Sequence, residues 1–190
     1  MMKSVLIAIR PQGVEKIASG QKTIEVRKTA PQEVPFKCYI YETKEQYVKF
    51  THGAHTKYGY GRGKVIGEFI CDRIEMVNAK CSDYGIDLFY HDCLTNGCLT
   101  EREIEKYFNV PEDRDLRAMK GNGYVWNISD LKIYDKPREL SEFSRPCSYS
   151  GLCFSCKRTS FKKDGNLLCN TKITRPPQSW MYVEDLGEEK

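Results

Sequence analysis

The apolar run SVLIAIR (Ser4–Arg10) reads as a buried strand, stopped by Arg10 and Pro11. Pro11 suits the first position of a helix, where its missing N–H costs nothing. Val14, Ile17 and Ala18 then fall at i, i+3 and i+4, and Gly20 closes a helix spanning about residues 11–19. The period changes in KTIEVRK (Lys22–Lys28), where Ile24 and Val26 share one face and Thr23, Glu25 and Arg27 the other. Alternation returns in FKCYIYE (Phe36–Glu42). GKVIGEFICDRIEMV (Gly63–Val77) reads as one long strand whose apolar phase slips near Cys71, which predicts a bulge or bend.

Residues 78–99 show no clear period. A helix begins at Thr100, which forms a capping box with Glu103 ahead of a buried stripe of Ile104, Tyr107 and Phe108. GYVWNISDLKIYD (Gly123–Asp135) reads as a strand with a continuation, and SWMYVEDL (Ser179–Leu186) as the last strand. Five or six strands with short turns and little βαβ alternation predict an α+β fold, a small mixed β-barrel. One short helix follows the first strand and a second is inserted late. Residues 1–190 read as a single domain, with 78–122 as a helical insertion and 144–175 as a cysteine-rich one.

Composition sharpens this only in places. Twelve Tyr, 8 Phe and 2 Trp favour a β-rich chain. The net charge of +4 permits nucleic-acid binding without demanding it. No run approaches the roughly 18 apolar residues of a membrane span, and the N-terminal run is too short for a secretion signal, so a cytoplasmic protein is expected. Nine cysteines in a reducing compartment point to metal ligation of a subset before a disulfide framework.

Four of them, Cys147, Cys153, Cys156 and Cys169, follow C-x5-C-x2-C-x12-C. A C-x2-C knuckle brings two thiolates to one ion, and two more complete a tetrahedral zinc shell. The segment has too few apolar side chains to fold by burial, so a structural Zn2+ is expected to supply what a core would. Four sulfur ligands leave no open position for catalysis. Cys38 and Cys71 sit within strand patterns and read as small buried hydrophobes, while His91, Cys93 and Cys98 make only a weaker candidate for a second site. Residues 136–175 carry nine Lys or Arg against three Asp or Glu, a formal +6. Their cluster at Lys157, Arg158, Lys162 and Lys163 could guide a polyanion.

Gly20, Lys22, Glu25 and Arg27 spell G-x-K-x-x-E-x-R on the second strand. This resembles the signature of the ASCH domain family, a branch of the PUA-like β-barrels, and QSWMYVEDL looks like that family's closing strand. The likeness covers residues 3–77 and 123–186 in outline, and is greatest to ASCH proteins of phages and mobile elements of Gram-positive bacteria. It implies a cleft at the barrel mouth that takes RNA, a nucleotide or a modified nucleoside. Glu25 can accept from a base edge, Arg27 offers a planar fork for phosphate, and Lys22 can swing in from the turn after Gly20. Tyr124, Trp126, Trp180 and Tyr182 are candidates to stack a base, or else fill the core. A cross-strand ion pair is the structural alternative for Glu25 and Arg27.

One branch of that family hydrolyses N4-acetylcytidine with a Lys, a Thr nucleophile and a Glu. Lys22 matches the lysine, but the nucleophile position falls on Glu25, and no carboxylate stands near Thr95–Gly97 where the third is implied. The amidase activity is therefore not carried across. A hydrolase using Lys22, Thr23 and Glu25 on RNA or a modified nucleoside remains an alternative, as does a zinc-stabilised protein-interaction module.

Overall fold

In the computed structural model the N-terminal run forms β1 (Lys3–Ile9), and α1 (Pro11–Ala18) follows with Gly20 just past its end at φ +76°. The described residues are 2–52, 55–110, 116–147, 159–161, 167–169 and 171–187. The charged strand is β2 (Ile24–Arg27), followed by β3 (Phe36–Glu42). Next comes a hairpin that the hydrophobic pattern did not announce, β4 (Gln46–His52) and β5 (His55–Tyr60). The chain continues through β6 (Val65–Cys71), β7 (Ile74–Asn78), α2 (Asp83–Thr95) and α3 (Glu101–Phe108). It ends with β8 (Asn122–Asn127), β9 (Ser129–Arg138), β10 (Thr159–Phe161), β11 (Leu167–Cys169) and β12 (Trp180–Val183).

The fold is mixed α+β. A five-stranded sheet runs β12-β1-β3-β6-β9, with β1 and β3 parallel and the other pairs antiparallel. A second sheet of three strands runs β2-β8-β7. The expected barrel is corrected here: among the described residues no hydrogen-bonded ladder closes the two sheets into a ring. They are joined by corners instead. The run expected as one strand over 63–77 turns at Asp72 and Arg73, and the run over 123–135 turns at Ile128, so each serves both sheets. Asn127 ties the corners together, its N–H donating to Arg73 O (3.0 Å) and its Nδ2 to Asp72 Oδ1 (2.8 Å).

Residues 78–99 are not irregular but hold α2. Ser82 caps it, its Oγ accepting from Gly85 N at 3.2 Å. The Thr100–Glu103 box caps α3 as expected, with Thr100 N donating to Glu103 Oε2 at 2.8 Å. The two helices and the three-stranded sheet enclose a core of Ile24, Val26, Phe89, Ile104, Phe108 and neighbours. A separate core between the sheets contains Val5, Ile7, Phe36, Phe69, Trp126 and the fully buried Cys38 and Cys71. Burial pushes the Cys38 thiol well up and that of Cys71 up to about 12.

The cysteine-rich segment is described only in part. Cys153 and Cys156 lie outside the described residues, as do Lys157, Arg158, Lys162 and Lys163, while Cys147 is exposed. Among the described residues no three metal-binding side chains gather, and no helix is long and apolar enough to cross a membrane.

Candidate functional site

Alternation along β2 decides what the site is made of. Ile24 and Val26 turn into the core under α2 and α3. Glu25 and Arg27 turn the other way, toward β1, and Glu25 stands opposite Trp126 of β8. Three ionic side chains meet there at low exposure. Glu25 Oε1 lies 2.9 Å from Arg27 Nη2, and Glu25 Oε2 lies 3.3 Å from Lys22 Nζ. Their side chains are only 8 %, 11 % and 6 % exposed respectively, so this is a buried triad and not a surface pair. Burial of this kind is tolerated only when charges are paired and their remaining polar atoms bonded.

The two cations are anchored on the far side by backbone carbonyls. Arg27 Nη2 donates to Ala8 O at the end of β1 (2.8 Å), and Lys22 Nζ donates to Gly97 O just past α2 (2.8 Å). Lys16 Nζ of α1 takes the next carbonyl, Cys98 O, at 2.8 Å. Both lysines thus sit at the C-terminal end of α2, where the helix dipole favours cations. Gly97 is required by close approach, since a Cβ there would stand 2.7 Å from Cys93 O. The helical insertion therefore builds part of the site.

The triad lies in the wall of a cavity of about 810 Å³ bounded by α1, the end of β1, the turn at 97–99, α3 and residues 177–178. Six cations line it, Arg10, Lys16, Lys22, Arg27, Lys28 and Lys106, against three acids, Glu25, Glu45 and Glu103. An anion is favoured there. Two buried oxygens of residues in its wall have no hydrogen-bond partner among the described residues: Glu25 Oε2, held by its ion pair to Lys22, and Thr43 Oγ1 past the end of β3. Arg27 Nε is likewise without one. A buried polar atom left so costs free energy.

The structure brings together some of the residues singled out in the sequence and disperses others. Lys22, Glu25 and Arg27 meet, but Lys22 is 5 % exposed and fixed, not swinging in from a turn. Thr23 is exposed and does not line the cavity, so it stands apart from Lys22 and Glu25. Trp126 is fully buried, edge-on to Phe36 and Trp180, and fills the core. Tyr124 and Tyr182 pack against that same core, as does Trp180, which donates from Nε1 to Thr29 Oγ1 at 3.0 Å. None of the four lines the cavity.

The aromatic ring that does is Tyr107, assigned from its period to the helix's buried stripe. It is half-buried, with Lys28 Nζ 5.0 Å from its ring centre. Burial raises the Tyr107 hydroxyl pKa, and the Arg27 guanidinium beside it works against that rise. Thr43 and Lys16 left no signal in the sequence, because neither belongs to a motif, and the period of Tyr107 pointed to the core and not to the cavity. Cys93, weighed for a second metal site, is buried in the helical core, and burial lifts its thiol to about 12.

The fold is that of solved ASCH structures. The crystal structure of ASCH from Zymomonas mobilis superposes with a TM-score of 0.55 at 18 % identity, covering 96 % of this chain and 88 % of that one. Two point mutants of the same Zymomonas mobilis protein superpose at 0.54, with 16 % and 17 % identity, covering 96 % of this chain and 91 % and 89 % of theirs. By sequence, no protein-family profile and no curated protein matches the chain.

Proposed function

We propose that the cleft binds RNA or a nucleotide, with a base edge against Glu25 and phosphate among the cations of the wall. The observation that carries this is the composition of the cavity wall, six cations against three acids, with the Glu25 carboxylate and the Thr43 hydroxyl among its residues. A carboxylate has lone pairs beyond its ion pairs and can accept from a ligand N–H, as an exocyclic amine supplies. Tyr107 is the available stacking face. The ASCH resemblance implies the same ligand class.

Binding fits these side chains better than hydrolysis. Lys22 and Glu25 are an acid–base pair in name, but Lys22 Nζ is bonded to Gly97 O and paired with Glu25, so neither is poised on an incoming proton. The test is calorimetric titration with ribonucleoside monophosphates and a short RNA, on wild type and Thr43→Val. That substitution keeps shape and removes one unpartnered hydroxyl. Melting should stay level or rise, while affinity falls by roughly 5- to 100-fold, the worth of one buried hydrogen bond. A wild-type protein that binds neither probe overturns the reading.

We also propose a structural zinc on Cys147, Cys153, Cys156 and Cys169. Backbone placement supports it. Arg145 N donates to Thr171 O at 2.8 Å, and Thr159 stands opposite Cys169 across the β10–β11 hairpin. Cys147 and Cys169 each lie two positions from the first pairing, and Cys156 lies three positions before Thr159. Protein purified without added metal should carry about one equivalent of zinc. Cys153→Ser should loosen the insertion and leave the sheets folded, whereas a metal-free protein indifferent to chelator removes the proposal.

A further inference from the structure

The β4–β5 hairpin has one anchored face and one bare face. Register places Tyr47 opposite Gly59 on the first, and Gln46–Tyr60 and Val48–Tyr58 on the second. On the anchored face the Tyr47 ring lies over Gly59, where an added Cβ would come within 2.5 Å of it. The Tyr47 hydroxyl donates to Glu15 of α1. This holds the hairpin against the helix that forms one wall of the cleft. On the other face Val48, Tyr58 and Tyr60 are 48 %, 55 % and 72 % exposed. Two aromatic rings held out on a fixed frame are costly to leave wet unless something covers them.

Charge says what kind of partner fits. Residues 44–64 hold five Lys or Arg (44, 49, 57, 62 and 64) and one acid, Glu45, a formal 5 − 1 = +4. The whole chain is also +4, so the remainder sums to zero. Arg62 and Lys64 are matched by Glu42 and Glu139, but Lys44 and Lys49 have no acidic partner among the described residues. Three exposed side chains fall short of the roughly 800 Å² per partner of a stable protein interface. Alternating rings and cations are instead what an unpaired nucleic-acid strand requires, bases stacking on the rings and phosphates meeting the cations.

The hairpin is rooted at the rim of the cleft. Thr43 and Glu45 line the cavity, and Glu45 O accepts from Gly61 N (2.9 Å) at the root of the hairpin, next to Tyr60. Tyr58 lies two residues farther out on the same face, about 7 Å beyond. We propose that this face is a stacking platform for a single-stranded polynucleotide, Tyr60 and Tyr58 receiving successive bases of the strand that enters the cleft. The inference rests on the cleft reading above and deepens it: the ligand is a strand and not a free nucleoside.

The experiment compares two probes on wild type, the Tyr58→Ala/Tyr60→Ala double variant and the matching Phe variant. The probes are cytidine monophosphate and a labelled single-stranded RNA of about twelve nucleotides, within the range of known single-strand sites. The Ala variant should bind the oligomer roughly 10- to 100-fold more weakly, bind the mononucleotide unchanged, and be rescued by Phe, which keeps the stacking face. Equal affinity of wild type and Ala variant for the oligomer overturns the platform while leaving the cleft reading intact. Equal loss for both probes also overturns it, as a structural effect. If sedimentation shows wild-type self-association that the Ala variant loses with RNA binding unchanged, the face serves a second copy and the proposal falls. No binding of either probe by wild type refutes the cleft reading and this one together.

Discussion

Replacing Glu25 with Gln removes one negative charge from between two cations and leaves the shape almost unchanged. A surface ion pair treated this way costs about 0–1 kcal/mol, and β2 read as a sequence, with its polar face turned to an open cleft, predicts that small effect. The structure predicts otherwise. Glu25 is 8 % exposed and its partners at 2.9 and 3.3 Å are 11 % and 6 % exposed, so Lys22 and Arg27 would face each other with no counter-charge and little water. Removing one partner of a buried pair costs roughly 3–5 kcal/mol. For a chain of this length each kcal/mol lowers Tm by about 2–4 °C, so Glu25→Gln should melt roughly 6–20 °C below wild type. Lys3→Met is the control: its pair with Glu33 is as short, 2.8 Å, but the side chains are 47 % and 66 % exposed, and Tm should hardly move. Thermal melts by circular dichroism read both. A Glu25→Gln protein melting within about 2 °C of wild type would refute the buried-triad reasoning.

Other outcomes follow from single features. Thr100→Ala breaks the capping box of α3 and should cost about 1 kcal/mol, read by chemical denaturation. Glu103 titrates below its ordinary 4.5, because Thr100 N–H bonds its carboxylate, so its contribution is complete above that value and is lost as pH falls through the lower folded value. The Thr100→Ala penalty should therefore shrink in acid denaturation series, and a pH-independent penalty would discount the box. Cys38, Cys71 and Cys93 should resist alkylation in the native protein at pH 8 while exposed Cys147 reacts, unless a metal holds it, as peptide mass spectrometry would resolve.

Where a residue's neighbours lie close in sequence, the fold was legible. β1, α1 and its Gly20 stop, the alternation of β2, the Thr100 box and the buried Cys38 and Cys71 all follow from local period and capping. Helix α2 was not, because its stripe is smeared: Ile86, Phe89 and Cys93 are buried, yet Tyr84 and Leu88 are exposed. The β4–β5 hairpin was missed for the opposite reason, since a strand pair with an open face carries no inward alternation to read. The phase slip near Cys71 announced a bend, and the structure has one at Asp72 and Arg73, but local period could not show that the chain changes sheets there, nor that it turns at Ile128. Lys22, Glu25 and Arg27 were visible as a motif, but their burial was not. That depends on carbonyls at Ala8 and Gly97, distant in the chain from all three.

The two helices between β7 and β8 look in the sequence like an accessory spliced into a minimal domain. The packing makes them indispensable. Ile24 and Val26, in the site strand itself, and Val77 and Val125 beside it spend their apolar faces on those helices, and Gly97 O beyond α2 holds Lys22. Excising residues 78–122 would therefore yield no simpler relative of this protein. It would strip one side of β2-β8-β7, exposing an apolar sheet face suited to aggregation, and would release the lysine on the other. Any change that loosens α2 or α3 reaches the cavity twice, through the wall residues they carry and through a strand of which one side is core and the other cavity wall.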